Sequence, residues 1–149
     1  MAIVTHPHPD HYGGMAAVLD AVQIGELWDT GQAEAELEKM HRAGLVVWDV
    51  LTALRGMAQP GVSTMDLEKF AEHRTAEHKA RPAFKGYRGY PCVLCTSVNH
   101  EVVHGIPSDR TLKDGDIVNI DVTVIKDGWH GDSSRMYVVG SGSIAAQRL

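Results

Sequence analysis

Asp121 and Asp132 are the residues whose types and spacing could converge two carboxylates on one point. They lie in IVNIDVTVIKDGWHGDSSRMY, residues 117–137, two alternating β-branched runs joined by Asp127-Gly128. That dipeptide best suits a two-residue type I′ hairpin turn. With Lys126 opposite Trp129, Asp121 faces Ser134 and Thr123 faces Asp132. The aspartates then share one sheet face as diagonal neighbours, roughly 7–8 Å apart at the backbone. Asn119, Thr123, His130 and Ser134 fall on the same face, and Val118, Ile120, Val122, Val124 and Tyr137 on the opposite, core-seeking one. Two anions held together in a partly dry site repel, so one takes up a proton or a cation bridges them. A solvated polar face with two unrelated aspartates is the alternative, and the hairpin alone leaves both readings open.

A second candidate cluster is His6-Pro-His8-Pro-Asp10-His11, three imidazoles and a carboxylate within six residues at the end of a short strand, Ala2 to Thr5. Imidazole and carboxylate are what zinc or iron takes as ligands. The stretch THPHPDHYGG resembles the first motif of the metallo-β-lactamase fold over about residues 1–32. By that resemblance His6 and His8 would bind one metal, and Asp10 and His11 a second. The remainder of that fold has no counterpart in the sequence, so a metal-scavenging tail is the expected reading. A helical segment, Met15 to Val22, and a short strand and turn, Gly25 to Gly31, follow it. Cys92 and Cys95 form a lone CxxC with no second pair, followed by β-type sequence, and read as packed, reduced thiols.

The elements that must position these residues begin at Ala33. Glu34 to Ala58 is helix-periodic, with Leu37, Met40, Gly44, Val47, Leu51, Leu54 and Ala58 recurring at three and four. Pro60-Gly61 stops it. Ser63, with Asp66 three residues on, can cap a second helix running to about Lys79, whose buried stripe is Leu67, Phe70 and Ala71. Both helices are expected to cover the apolar back of the sheet, with His73 and His78 solvated. Residues 81–91, RPAFKGYRGYP, form an aromatic, glycine-rich loop, and Val93 to Val103 reads as β-type sequence ahead of His104-Gly105-Ile106-Pro107. At 149 residues the chain has room for one domain with an appendage. A formal charge of −5 without a basic cluster argues against nucleic acid or an anionic membrane surface as partners. No apolar run approaches the roughly 18 residues of a membrane span and no signal-peptide core opens the chain, so a cytoplasmic location is expected.

Together the segments EKMHRAG, QPGVSTMDL, FKGYRGYP, CTSVNHEVVHGIP, LKDGDIVNIDVTVIKDGWHGDSSRMYVVG and IAAQRL resemble the type I methionine aminopeptidases, over nearly all of residues 33–149. The resemblance implies an α+β, partial pita-bread fold: an antiparallel sheet covered by two helices, here with an N-terminal appendage. It implies removal of the initiator methionine from a peptide or nascent-chain N-terminus at a site with two divalent ions (Co, Mn, Fe or Zn). Asp121 would bind one ion and Asp132 both, His104 would hydrogen-bond the scissile peptide, and Phe84, Tyr87, Tyr90 and Cys95 would wall the methionine pocket. Asn99 would lie near a monovalent-cation site.

The family's remaining ligands, one histidine and two glutamates, belong to a half that would follow Leu149, and His130 alone does not replace them. The expectation is therefore an incomplete chain, inactive by itself, holding at most one ion weakly and prone to self-association through exposed core surface. A non-catalytic metal-binding truncation or fusion product is the alternative reading. A metallo-β-lactamase-like hydrolase, argued from His6 to His11 only, ranks last.

Overall fold

The computed structural model describes residues 34–144, residue 146 and two short strands, β1 (Ala2–Ile3) and β2 (Leu27–Trp28). β1 and β2 pair in parallel, Ala2 with Leu27 and Ile3 with Trp28. His6, His8, Asp10, His11, the expected helix Met15 to Val22 and most of the closing IAAQRL lie outside the described residues.

Helix α1 (Glu34–Met57) follows the apolar period read from the sequence: Met40, Val47, Leu51 and Leu54 are buried, and Ala43, Val46 and Val50 widen the stripe. It ends before Pro60 and Gly61, the latter at φ 94°. Helix α2 (Thr64–Glu77) opens on the expected reciprocal cap. Ser63 Oγ accepts from the Asp66 amide at 3.1 Å and Asp66 Oδ2 accepts from the Ser63 amide at 3.0 Å, satisfying two donors that the first helical turn leaves unpaired.

The main sheet is antiparallel throughout. Its central strand β5 (Ile117–Lys126) pairs along its whole length with β6 (Trp129–Val138). Its other edge is shared end to end by β3 (Arg81–Pro82), opposite Ile125 and Val124, and β4 (Leu94–Val98), opposite residues 122–118. The β5–β6 turn has φ 52° at Asp127 and 87° at Gly128, the double positive φ of a type I′ turn. The register is the expected one, Lys126 with Trp129 and Asp121 with Ser134.

Val118, Ile120, Val122 and Val124 are fully buried beneath α1, each contributing about 1.5–3 kcal/mol by leaving water. Two contacts fix α1 on β6. The buried Tyr137 hydroxyl donates to Leu51 O at 2.7 Å, and Gly131 lets the helix so close that a Cβ there would stand 2.4 Å from Ala43 O. α1 is therefore the main cover of the sheet. α2, also expected to cover the sheet, packs on α1 and on the β3–β4 edge.

The strand expected over Val93 to Val103 stops at Val98, because Asn99 turns left-handed at φ 59°. His78, expected to be solvated, is only partly so. Its Nε2 lies 2.8 Å from Asp49 Oδ2, in a cluster where Arg74 also grips Asp49 with two nitrogens, at 2.7 and 3.0 Å, joining α2 to α1. His73 is exposed, 3.4 Å from Glu77.

Candidate functional site

The face of the sheet turned away from α1 carries Asp121 at the middle of β5, between Cys95 on β4 and Ser134 on β6. Asp132 is its diagonal neighbour, and Thr123 Oγ1 donates to Asp132 Oδ1 at 2.8 Å. The alternation that buries four β5 side chains under the helix necessarily sends Asn119, Asp121 and Thr123 to this side. The two carboxyl groups come within hydrogen-bonding reach of each other, with Asp121 half-buried and Asp132 exposed. Burial, then the Asp132 charge beside it, pushes the Asp121 carboxyl up to about 6, against a smaller opposing pull from His104. Two oxygen donors of this kind suit a hard or borderline divalent cation, yet fill only part of its shell. Among the described residues no group of three or more His, Cys, Asp or Glu side chains is placed to hold a metal. His130 sits on the same face, opposite Ile125, and is exposed.

His104 follows β4 on a segment that returns along the free edge of that strand. Its backbone is left-handed, φ 56°. The next residue is tied to β4 on both sides: Thr96 N donates to Gly105 O at 2.8 Å and Gly105 N donates to Ser97 Oγ at 3.1 Å. The imidazole is exposed and close enough to Asp121 to oppose the rise of that carboxyl's pKa.

The four expected pocket residues are not all gathered. Phe84 and Tyr90 meet edge to face with ring centres 6.2 Å apart, and Cys95 is buried beside the Tyr90 hydroxyl. Burial pushes the Cys95 thiol up, so it stays protonated and unreactive at neutral pH. Tyr87, 64% exposed, instead lies under the Arg88 guanidinium at 5.5 Å. Asn99 uses both ends of its amide within the chain, Nδ2 donating to Asp116 Oδ1 at 2.8 Å and Oδ1 accepting from Ile117 N at 3.0 Å.

Reading the sequence missed Glu68. It is buried on α2, where its two oxygens accept from Val93 N at 2.6 Å and Leu94 N at 2.9 Å, holding the start of β4. Burial raises its pKa and the two amides oppose the rise. The signal was present, since Thr64, Leu67, Glu68, Ala71 and Thr75 form a single helical stripe.

Residues 38–149 match metallopeptidase family M24. The methionine aminopeptidase of Escherichia coli strain K12 is 49% identical over 116 residues, which are 76% of this chain and 44% of that protein. That of Rickettsia prowazekii strain Madrid E is 47% identical over 116 residues, 78% of this chain and 45% of the relative. The crystal structure of the R. prowazekii methionine aminopeptidase superposes with a TM-score of 0.77 and covers 79% of this chain and 48% of its own. The methionine aminopeptidase structure from Thermotoga maritima, 38% identical, gives 0.76 with the same coverage, 79% of this chain and 48% of its own. The chain thus spans about half the length of the curated relatives it matches. From the match over residues 38–149, joined to the shared antiparallel sheet and helices of the pita-bread fold, it follows that this chain belongs to metallopeptidase family M24.

Proposed function

We propose that this chain is part of a metal-dependent aminopeptidase that removes the N-terminal methionine of peptides and nascent chains, and that residues 33–149 do not by themselves turn over substrate. The observation that carries this reading is the Asp121–Asp132 pair, two carboxylates within reach of each other on the open face of the sheet, one on the central strand β5 and one on its neighbour β6. Asp121 and Asp132 would hold a divalent ion, Co, Mn, Fe or Zn, with at most one held weakly by these ligands alone. Such an ion supplies Lewis acidity toward a peptide carbonyl. The chain's own residues supply the rest of the reading. Thr123 orients Asp132 through its 2.8 Å hydrogen bond. His104, exposed beside the pair, would hydrogen-bond the scissile peptide. Phe84, Tyr90 and Cys95 offer soft apolar contact of the kind an unbranched thioether takes, with Tyr87 reaching the same side chain only by leaving Arg88. Asn99 would lie near a monovalent cation.

The aminopeptidase names of the relatives support this reading. So does the absence of a third metal-holding side chain among the described residues, which supports weak binding. Leu45 and Trp48, 49% and 62% exposed one turn apart on α1, support self-association. Residues 1–32 are read as a separate metallo-β-lactamase-like segment whose His6, His8, Asp10 and His11 would take up metal independently. No helix among the described residues is long and apolar enough to cross a membrane, and a cytoplasmic location is part of the proposal.

The test is calorimetric titration of a chain lacking residues 1–32 with Mn(II), beside an assay of methionine release from Met-Ala-Ser. About one weakly bound ion, lost in Asp121→Asn/Asp132→Asn, and no release are expected. Unchanged binding in the double variant removes the metal role. Release abolished by Asp132→Ala keeps the function but overturns the proposed inactivity.

A further inference from the structure

The backbone at His104 is left-handed, φ 56°, in a residue whose side chain makes that conformation uncommon. Such a residue persists where its surroundings over-determine it. Here the surroundings are explicit, and they act on Gly105. Its carbonyl accepts from Thr96 N at 2.8 Å and lies 3.1 Å from the Tyr90 hydroxyl. Its amide donates to Ser97 Oγ at 3.1 Å. A Cβ on Gly105 would stand 2.1 Å from Thr96 O, so the segment lies as close to β4 as a chain without a side chain allows.

Tyr90 ties this arrangement to the start of the strand, because the same hydroxyl lies 2.9 Å from Leu94 O. Ser97 is 3% exposed, and its one-carbon side chain reaches the Gly105 amide across the strand edge. Both backbone polar groups of Gly105 are thus referred to β4, the strand that pairs Cys95 with Asp121.

We propose that Ser97 and the Tyr90 hydroxyl are positioning residues for His104, clamping Gly105 to β4 so that the left-handed turn aims the imidazole at Asp121. This deepens the proposed function and rests on it for its catalytic meaning. The clamp itself is a property of the fold and is testable without turnover. It also divides Tyr90 in two: the ring meets Phe84, while the hydroxyl is spent on backbone carbonyls.

The experiment is solution NMR of the full chain without metal at pH 7. The His104 ring signals are recorded with and without Asp121→Asn, in the parent and in the Ser97→Ala, Tyr90→Phe and Ser97→Ala/Tyr90→Phe backgrounds. In the parent, Asp121→Asn shifts the His104 ring signals. In the clamp variants that response is expected to fall, to less than half in the double variant. Exchange of the Gly105 amide rises by about fivefold for the loss of one hydrogen bond. Continued protection of the amides of Val118 to Val124 shows that the sheet persists, and the single variants give the same reading should the double variant unfold.

A ring response that survives undiminished overturns the proposal, even where Gly105 exchange accelerates, because the bonds then serve only the strand edge. A diminished response in a chain that releases no methionine at any metal loading leaves the clamp standing and counts only against an active chain. Where release is measurable, both variants are expected to lower kcat about fivefold with KM unchanged, Tyr90→Phe having kept its ring.

Discussion

Replacing Asp132 with Asn is expected to stabilise the metal-free protein at neutral pH. The replacement keeps an oxygen for the 2.8 Å bond from Thr123 while removing a charge beside Asp121. The Asp121 carboxyl stands at about 6 in the folded chain against its ordinary 3.8, so between those values the native state binds a proton that the unfolded state has released. Stability therefore falls as pH rises through that window and is flat above it. At about 1.4 kcal/mol per pH unit the whole penalty is about 3 kcal/mol, and the solvent that reaches half-buried Asp121 discounts it to about 2 kcal/mol. Burial is the larger cause and repulsion by Asp132 the next, so the substitution should return about 1 kcal/mol. Urea unfolding with chelator at pH 7 and pH 4 measures it. Asp132→Asn should be the more stable protein at pH 7, and the difference should vanish by pH 4, where Asp121 is largely protonated in both. A destabilised variant at pH 7, or a gain that ignores pH, refutes the coupling of the two carboxylates.

Divalent-metal affinity should weaken by about tenfold per pH unit below about 6, since a proton and the cation compete for Asp121; calorimetry with Mn(II) at pH 5 and pH 7 reads this directly. Gly131→Ala places a Cβ 2.4 Å from the Ala43 carbonyl, a backbone group that cannot swing aside, and should cost about 1–3 kcal/mol or more in urea unfolding as α1 lifts from β6. Glu68→Ala strips both buried acceptors from Val93 and Leu94 and should cost about 2–5 kcal/mol, with faster amide exchange at those two residues before any other part of β4. Gly128→Ala, forced to φ 87°, should cost about 1 kcal/mol in the same assay without altering the register of β5 and β6.

The hairpin was legible because its signals are local and redundant. Asp127-Gly128 fixes the turn, the turn fixes the pairing, and alternation then assigns every side chain of β5 and β6 to a face. Helix α1 and the Ser63–Asp66 cap were legible for the same reason. Contacts joining distant segments left no such trace. His78 has the spacing of a solvated residue on α2, and only the crossing of α1 brings Asp49 to it. Val102 and Val103 read as strand, but Asn99 bends the chain away by bonding Asp116 and Ile117, a pairing set by the loop nearly twenty residues on. His104 was named from resemblance alone. What holds it depends on Gly105 lying against Thr96, an approach between segments that no local period encodes.

The two faces of β5 are one device seen from opposite sides. The strand has partners on both edges, so its backbone groups are paired and its side chains have little freedom to shift. Burying Val118, Ile120, Val122 and Val124 beneath α1 holds that geometry, and the held geometry is what keeps Asp121 beside Asp132 against their repulsion. A carboxylate pair on a loose loop would separate and titrate near 4; here the core stabilises the strand by more than the pair destabilises it. The unfavourable charge is then relieved either by a proton, as in the metal-free chain near pH 6, or by a cation. The repulsion that adds to burial in lifting the Asp121 pKa is thus also a force that favours a metal there, which is why stability, proton binding and metal binding must move together when either aspartate is changed.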